Sequence, residues 1–381
     1  RGMSEDLTAL ATETIAASTA RTDPDYPLVH LAPPVGRLND PNGLLVDGGT
    51  YHAFYQLSPL HPHRKLVYWG HATSTDLLTA LRTELDERGL DIPLAWGNRN
   101  SEPFLADTLR EAYADGARRV VTLTTSAYSS YSSCRQYRED LAAASHELSE
   151  DGSVPEGALS IDKVRQFATH PSFARTNTRL VTDALREFAG VPDEQVQVVF
   201  VTHSIPLAMD DTSGPGDGDG NLYWQQHDEL GAAILSEANA TLSRELEGAL
   251  VYCSRSGPPS QPWLEPDIND HLENLAERGV THVVVAPIGF VSDHMEVAFD
   301  LDTEAAETAE RLGLTMRRVP TVGVDPEFVH GLVDLLEERA AETRGESPEH
   351  PAWPGEARPS VCEPGCCPNL RAAKPALCGR D

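Results

Sequence analysis

The sequence predicts an α/β fold. Three observations carry that reading. From Leu78 to about Ala341, apolar strand candidates alternate with amphipathic helix candidates, which means a parallel sheet covered on both faces. The 381 residues are enough for two or three domains with a real core. Residues 21–77 have a different, all-β texture, rich in Pro, Gly, His and aromatic residues.

The elements follow in order. Residues 1–20 read as helical. Thr50–Gln56 and Val67–Ala72 are short strand-like pieces. The texture changes at Leu78, where Leu78, Leu81 and Leu85 share one face of an amphipathic helix over Leu78–Arg88. Strands are then expected at Pro93–Trp96, Arg119–Thr124, Gln197–Thr202, Ala249–Cys253, His282–Ala286 and Thr315–Val319. Helices are expected at Pro103–Asp115, Cys134–His146, Lys163–Phe188, Leu222–Leu246, Ile268–Arg278, Asp293–Leu312 and Pro326–Ala341. Residues 343–381 read as an irregular tail. The expected domains are therefore 1–77, 78–195, 196–342 and a Cys-rich tail, 343–381.

Charge and hydropathy narrow the partners. A net charge of −29 argues against nucleic acid and against anionic membrane surfaces. No apolar run approaches the ~20 residues of a membrane span. Thr8–Ala20 lacks the basic flank and continuous apolar core of a signal peptide, so the expected location is the cytoplasm. The chain begins Arg-Gly-Met, which makes Met3 a candidate start.

Two groups of residues suggest chemistry. The strand Val199–Thr202 runs into His203, and a second strand runs through Ala286-Pro287-Ile288-Gly289-Phe290 towards Asp293-His294-Met295-Glu296. Ligands in parallel sheets bind at the carboxyl ends of strands. Ser292 or Asp293 is placed to cap the next helix, with Glu296 in its first turn. A neutral His beside a carboxylate suits a divalent metal or a proton relay, and such pairs also serve purely structural roles. The second group is Cys362, Cys366, Cys367 and Cys378, crowded into the last twenty residues, where a metal site is favoured over disulfides. Cys253 reads as a small buried residue at a strand end. Ser129–Ser133 reads as a polar loop, and Asp217–Asn221 as a flexible loop lacking the Gly and Glu of a calcium site.

Leu38-Asn39-Asp40-Pro41-Asn42-Gly43, followed by Tyr68-Trp69-Gly70-His71-Ala72-Thr73-Ser74, resembles the invertase/levanase β-fructosidases over about residues 24–77. The resemblance implies Asp40 as a glycosidase nucleophile on one propeller blade at most. A retaining glycosidase needs a second carboxyl group about 5–5.5 Å away, and the family's later motifs are absent. Turn chemistry alone also explains these residue types.

From about Thr79 onward the chain resembles the ferrochelatases, in particular the actinobacterial coproporphyrin ferrochelatases. The matching words include Trp96-Gly97-Asn98-Arg99-Asn100, the segment Thr125–Tyr137, the His203 segment, Tyr252–Pro259, Pro262–Pro266 and the Glu296 segment. This resemblance implies two Rossmann-like parallel-sheet domains of chelatase type. The first is truncated, because its opening strand, helix and porphyrin-covering loop are replaced by the β-rich piece. It implies a lyase of haem biosynthesis that inserts Fe(II) into coproporphyrin III or protoporphyrin IX. His203 and Glu296 would be the iron-binding, proton-handling pair. Tyr137 would contact the porphyrin. Arg255 either pairs with a porphyrin carboxylate or is an ordinary loop arginine. His294 is expected at a helix start rather than as a ligand.

The same resemblance implies a [2Fe–2S] cluster held by Cys134 and three of Cys362, Cys366, Cys367 and Cys378, one tail thiol being spare. A structural zinc site or a reduced tail are the alternatives. Two competing readings of the whole chain stand beside the chelatase: a β-fructosidase fragment, and an inactive Fe–S or porphyrin-binding remnant.

Overall fold

A computed structural model describes residues 37–47, 50–58, 68–74, 77–99, 103–256, 258 and 260–377, the first three segments as backbone only. The helix expected over residues 1–20 lies outside the described residues. The chain divides into two compact units, residues 1–80 and 81–381.

The first unit contains an antiparallel sheet of β1 (Arg37–Asp47), β2 (Thr50–Ser58) and β3 (Tyr68–Ser74), in that order. Asp47 pairs with Thr50, so β1 and β2 form a tight hairpin. The β1 register slips between Leu38 and Pro41 and again between Pro41 and Gly43. Pro41 has no N–H for the ladder, which accounts for an irregularity at this point. Asp40 therefore lies in a bulged stretch of β1 rather than in a turn.

The second unit carries the α/β architecture. Helix α1 (Leu77–Glu87) leads towards it, and Leu81 and Leu85 are buried. A small parallel sheet pairs β4 (Arg119–Thr122) with β5 (Ser160–Lys163). Helices α2 (Leu105–Ala114) and α3 (Gln136–Glu150) cover it, sharing a core of Ala106, Leu109, Ala144, Leu148 and Val154. This sheet has two strands among the described residues. Helix α4 (Pro171–Arg186) leads to the larger sheet.

That sheet is fully parallel, in the order β7 (Glu247–Cys253), β6 (Val196–His203), β8 (His282–Ala286), β9 (Thr315–Arg318). Central β6 is buried from Val196 to Thr202 and turns partly open only at His203. Val199, Val201, Val251, Val283 and Val285 are all fully buried in one core with helix α7 (Ile268–Glu277). Each such side chain contributes about 1.5–3 kcal/mol. Helices α5 (Leu207–Asp211) and α6 (Leu222–Leu242) follow β6. Helix α8 (Met295–Phe299) runs through a π-helical turn, Asp300–Ala305, into α9 (Ala306–Leu312). Helix α10 (Pro326–Thr343) closes the domain.

Several expectations need correcting. Pro93–Trp96 is not a strand; nearby pairing is one isolated bridge between Asn98 and Phe104. Pro93 cannot donate to a ladder, which weakens any strand there. The helix expected from Lys163 begins only at Pro171, since Lys163 ends β5 and Pro171 sets the helical φ at the first turn. The helix expected from Cys134 opens as a π-helical turn, Tyr131–Arg135, capped by Ser130, whose hydroxyl accepts from Ser133 N–H at 3.1 Å. Helix α6 stops at Leu242, where Ser243 adopts left-handed φ 52°.

The tail has no helix or strand among its described residues, yet it is anchored. Arg165, fully buried, donates to both carboxylate oxygens of Glu338 at 2.7 and 3.2 Å and to the Pro351 carbonyl at 2.9 Å. His350 lies 3.0 Å from the same Glu338 carboxylate. Trp353 N–H donates to Thr169 O, and Leu377 N–H to Arg138 O.

Candidate active site and thiol cluster

The sheet brings His203 and Glu296 together. His203 ends β6, and its Nε2 lies 3.2 Å from Glu296 Oε1. Both are about half-buried. His203 Nδ1–H donates to the Ser204 carbonyl, which leaves Nε2 as the nitrogen facing Glu296. Burial alone would lower the His203 pKa, but the hydrogen bond to Glu296, the Ser204 carbonyl and the nearby carboxylates raise it instead. The His203 hydrogen bond lowers the pKa of Glu296 against its own desolvation. The pair is thus an imidazole and a carboxylate poised to share or exchange a proton.

The helix start differs in detail from expectation. His294 is its N-cap and makes no side-chain cap bond, while its ring packs edge-on against Phe290 with centroids 5.3 Å apart. His294 is a helix-start residue, as read, and burial holds its pKa down. Asp293 does not cap. It pairs with Arg318 at 2.6 Å, and Arg318 also holds Asp302 at 2.8 Å. This arginine ties β9 to both sides of the Glu296 turn.

Two residues missed in the sequence complete the site. Asp300 lies one helical turn beyond Glu296, a spacing that places both carboxylates on one face. Ser254, just past β7, donates its hydroxyl to Asp300 and adds a favourable interaction with Glu296. Ser254 holds φ +60°, a left-handed conformation costly for a residue with a Cβ. The i, i+4 spacing is the signal that finds Asp300; nothing in the sequence marks Ser254.

Tyr137 and Arg255 lie apart from the pair. Tyr137, in the first turn of α3, stacks under the Arg99 guanidinium at 4.7 Å, and Arg99 pairs with Asp140. Arg255 is exposed, lies 3.3 Å from Glu265 and donates to the Gln261 carbonyl. Neither makes a hydrogen bond to His203 or Glu296. Asp40 lies on β1, in the other unit.

The structure also assembles the thiols. Cys134, Cys362, Cys366 and Cys367 line one pocket, together with Arg138 and Lys163. Cys134 and Cys366 each hydrogen-bond Cys362, and Cys366 lies 3.8 Å from Cys367. Hydrogen bonding to Cys362 lowers the pKa of Cys134 and of Cys366, and the surrounding cations add to it. Hydrogen bonding to Cys366 and burial push Cys367 up. A site that accepts thiolates beside buried cations suits metal–sulfur ligation. Cys378 lies outside the described residues. Cys253 is 2% exposed at the end of β7, the small buried residue it was read as.

The irregular loop 213–221 abuts this cluster. Gly214 N–H donates to Cys367 Sγ at 3.2 Å, and Cys367 N–H donates back to Gly214 O at 2.9 Å. A Cβ on Gly216 would lie 2.8 Å from the Pro364 carbonyl, so this contact requires glycine.

A sequence profile of the ferrochelatase family matches residues 50–340. The coproporphyrin III ferrochelatase of Streptomyces griseus is 45% identical over 342 residues, covering 88% of this chain and 86% of its own. That of Leifsonia xyli is 46% identical over 327 residues, covering 80% and 79%. Among solved structures, SirB from Bacillus subtilis aligns over 71% of this chain and 90% of its own, with 14% identity and a TM-score of 0.45.

Proposed function

The chain belongs to the ferrochelatase family and is a metal–porphyrin chelatase of haem biosynthesis; we propose that it inserts Fe(II) into coproporphyrin III at His203 and Glu296. One observation carries the site assignment: an imidazole and a carboxylate 3.2 Å apart where β6 and the segment after β8 end. Metalation removes two pyrrole protons, and the unprotonated Nε2 of His203 takes them in turn, passing the first to water before accepting the second. Glu296 stabilises the imidazolium that forms and offers oxygen to the arriving iron. Tyr137 is assigned to the porphyrin face and Arg255 to a propionate, on the family resemblance of their segments. The choice of coproporphyrin III follows the relatives that share 45–46% of its residues.

The test is metalation followed by the porphyrin absorbance change, with Fe(II) and either coproporphyrin III or protoporphyrin IX. Faster turnover of coproporphyrin III, abolished in His203→Ala, is expected. A preference for protoporphyrin IX would overturn the substrate, and an active His203→Ala would overturn the site.

The four clustered cysteines fit a [2Fe–2S] cluster, which takes four thiolate ligands. Cys134, Cys362, Cys366 and Cys367 would hold it, making Cys378 the spare thiol. When bound, such a cluster would tie the π-helical turn that precedes α3 to the tail. Acid-labile sulfide with iron in the purified protein is the expected result; zinc without sulfide would replace the cluster by a structural zinc site.

The β-fructosidase-like stretch overlaps the chelatase match over residues 50–77. Asp40 is read as a vestigial nucleophile without a partner carboxyl. Sucrose incubated with the protein is expected to release no glucose.

A further inference from the structure

A buried polar chain stands directly behind His203. Its members are Thr202, Tyr223, His227 and Tyr128, all buried. Thr202 immediately precedes His203 on β6. Its hydroxyl lies 2.8 Å from His227 Nε2 and 2.9 Å from the Tyr223 hydroxyl. His227 Nδ1–H donates to the Tyr223 carbonyl one helical turn back, at 2.7 Å. That bond fixes the tautomer, so Nε2 accepts the Thr202 hydroxyl proton. The Tyr223 hydroxyl proton is shared between two acceptors, Thr202 Oγ1 and the backbone carbonyl of His203, each 2.9 Å away.

The chain is clamped on its far side. The Tyr128 ring stacks on His227 with centroids 3.5 Å apart, and its hydroxyl donates to the Ile288 carbonyl at 2.7 Å. Gly289 follows, so close to Thr202 that a Cβ would meet its Oγ1 at 2.1 Å. Helix α6, the Tyr128 loop and the end of β8 therefore meet at Thr202.

This arrangement bears on one peptide plane. The peptide linking His203 to Ser204 is held at one end by Ser204 N–H donating to Cys253 O at 2.8 Å. It is held at the other by the Tyr223 hydroxyl on His203 O. The next carbonyl, Ser204 O, accepts the His203 Nδ1–H that directs Nε2 towards Glu296. Rotation of this plane would swing both the ring and its tautomer-fixing acceptor. Burial keeps His227 neutral, its pKa held down at about 3, so the chain keeps its hydrogen-bond pattern while His203 gains or loses a proton.

We propose that Tyr223, supported by Thr202 and His227, is a positioning residue that fixes the direction of His203 Nε2 for metalation. The proposal rests on His203 being the base of the proposed site. Tyr223 touches neither porphyrin nor iron in it; it acts through the His203 backbone.

The test uses the full chain with Tyr223→Phe, Thr202→Val and Thr202→Ser, each in the native and the His203→Ala background. Thr202→Val keeps the shape of the side chain and loses its hydroxyl; Thr202→Ser keeps the hydroxyl. Tyr223→Phe is expected to lower kcat about tenfold with the porphyrin KM unchanged, since one hydrogen bond is lost. Thr202→Val should fall in the same direction and Thr202→Ser should retain the native rate. In the His203→Ala background Tyr223→Phe should lower the residual rate no further, because its route to the chemistry is already gone. Nitrogen-15 histidine NMR should show one His203 tautomer in the native protein and a mixture in Tyr223→Phe.

A native rate in both Tyr223→Phe and Thr202→Val would overturn the proposal. So would an equal loss from Tyr223→Phe in the two backgrounds, which is what a purely structural role produces. If Tyr223→Phe fails to fold, Thr202→Val against Thr202→Ser decides. Full activity in His203→Ala would instead remove the site reading, and the tautomer measurement would still judge the strut.

Discussion

His203 and Cys134 belong to the two constellations proposed to handle metal, yet their surroundings differ. His203 is partly exposed, and its Nε2 faces the Glu296 carboxylate. Cys134 is 3% exposed, enclosed by other thiols and buried cations. In the proposed reaction this site would admit a metal, lose it to a macrocycle and pass protons to water. It can therefore tolerate neither full burial nor a closed ligand set. Metal held by the proposed thiol site would have opposite needs, and the tail that completes the pocket is tied down where Pro351 O and His350 meet the buried Arg165–Glu338 pair. Exchange of metal and retention of metal demand different burial from the same sheet framework.

The sharpest way to break this contrast is at the base. His203→Ala should lower the metalation rate by roughly 100- to 10,000-fold while leaving any bound iron and labile sulfide in place. Loss of both would show that the two regions are not separable. Glu338→Gln should do the reverse. It strands the buried Arg165 and should cost about 3–5 kcal/mol of stability, read as a lower Tm. Weakened anchoring should also make the thiol pocket easier to strip with a chelator.

Smaller effects sharpen the comparison. Glu296→Gln removes a carboxylate that raises the His203 pKa, so the acid limb of the kcat/KM profile should move to lower pH. The sign follows from linkage. A His with a raised folded pKa gives stability that is full below its unfolded value and lost as pH rises through the folded one. Glu296, with a lowered pKa, gives stability above its unfolded value that is lost as pH falls. The pair therefore stabilises most between the ordinary carboxylate and imidazole ranges, and Glu296→Gln should lose most Tm there. An acid limb that stays put would separate Glu296 from His203. Smallest of all, Arg255→Gln should raise the porphyrin KM severalfold at constant kcat, with Tm unchanged because Arg255 is exposed.

Much of the larger sheet was legible in the sequence. His282–Ala286 matches its strand end to end, and β6, β7 and β9 begin or end within two residues of expectation. Uninterrupted apolar runs report a strand buried on both faces. His203 and Glu296 were legible because strand ends are where such sheets place ligands. The smaller sheet was harder. Ser160–Lys163 carries Ser, Asp and Lys and is only partly buried, so its composition hides a strand. The buried Arg165–Glu338 pair joins residues far apart in the chain, and no local pattern announces it. Tyr223 and His227 sit on α6 at a spacing that equally describes an ordinary core face. Their role depends on Thr202, which only the fold brings to them.

The reciprocal hydrogen bonds between Gly214 and Cys367 carry a consequence for biosynthesis. Cys362, Cys366 and Cys367 leave the ribosome long after Cys134 and the Gly214 loop. The pocket can close only after the segment through Cys367 has been made. A chain cut short before Cys362 would still build the sheet that bears His203, but could not complete the thiol set. Loading of that pocket would thus report that synthesis had passed Cys367.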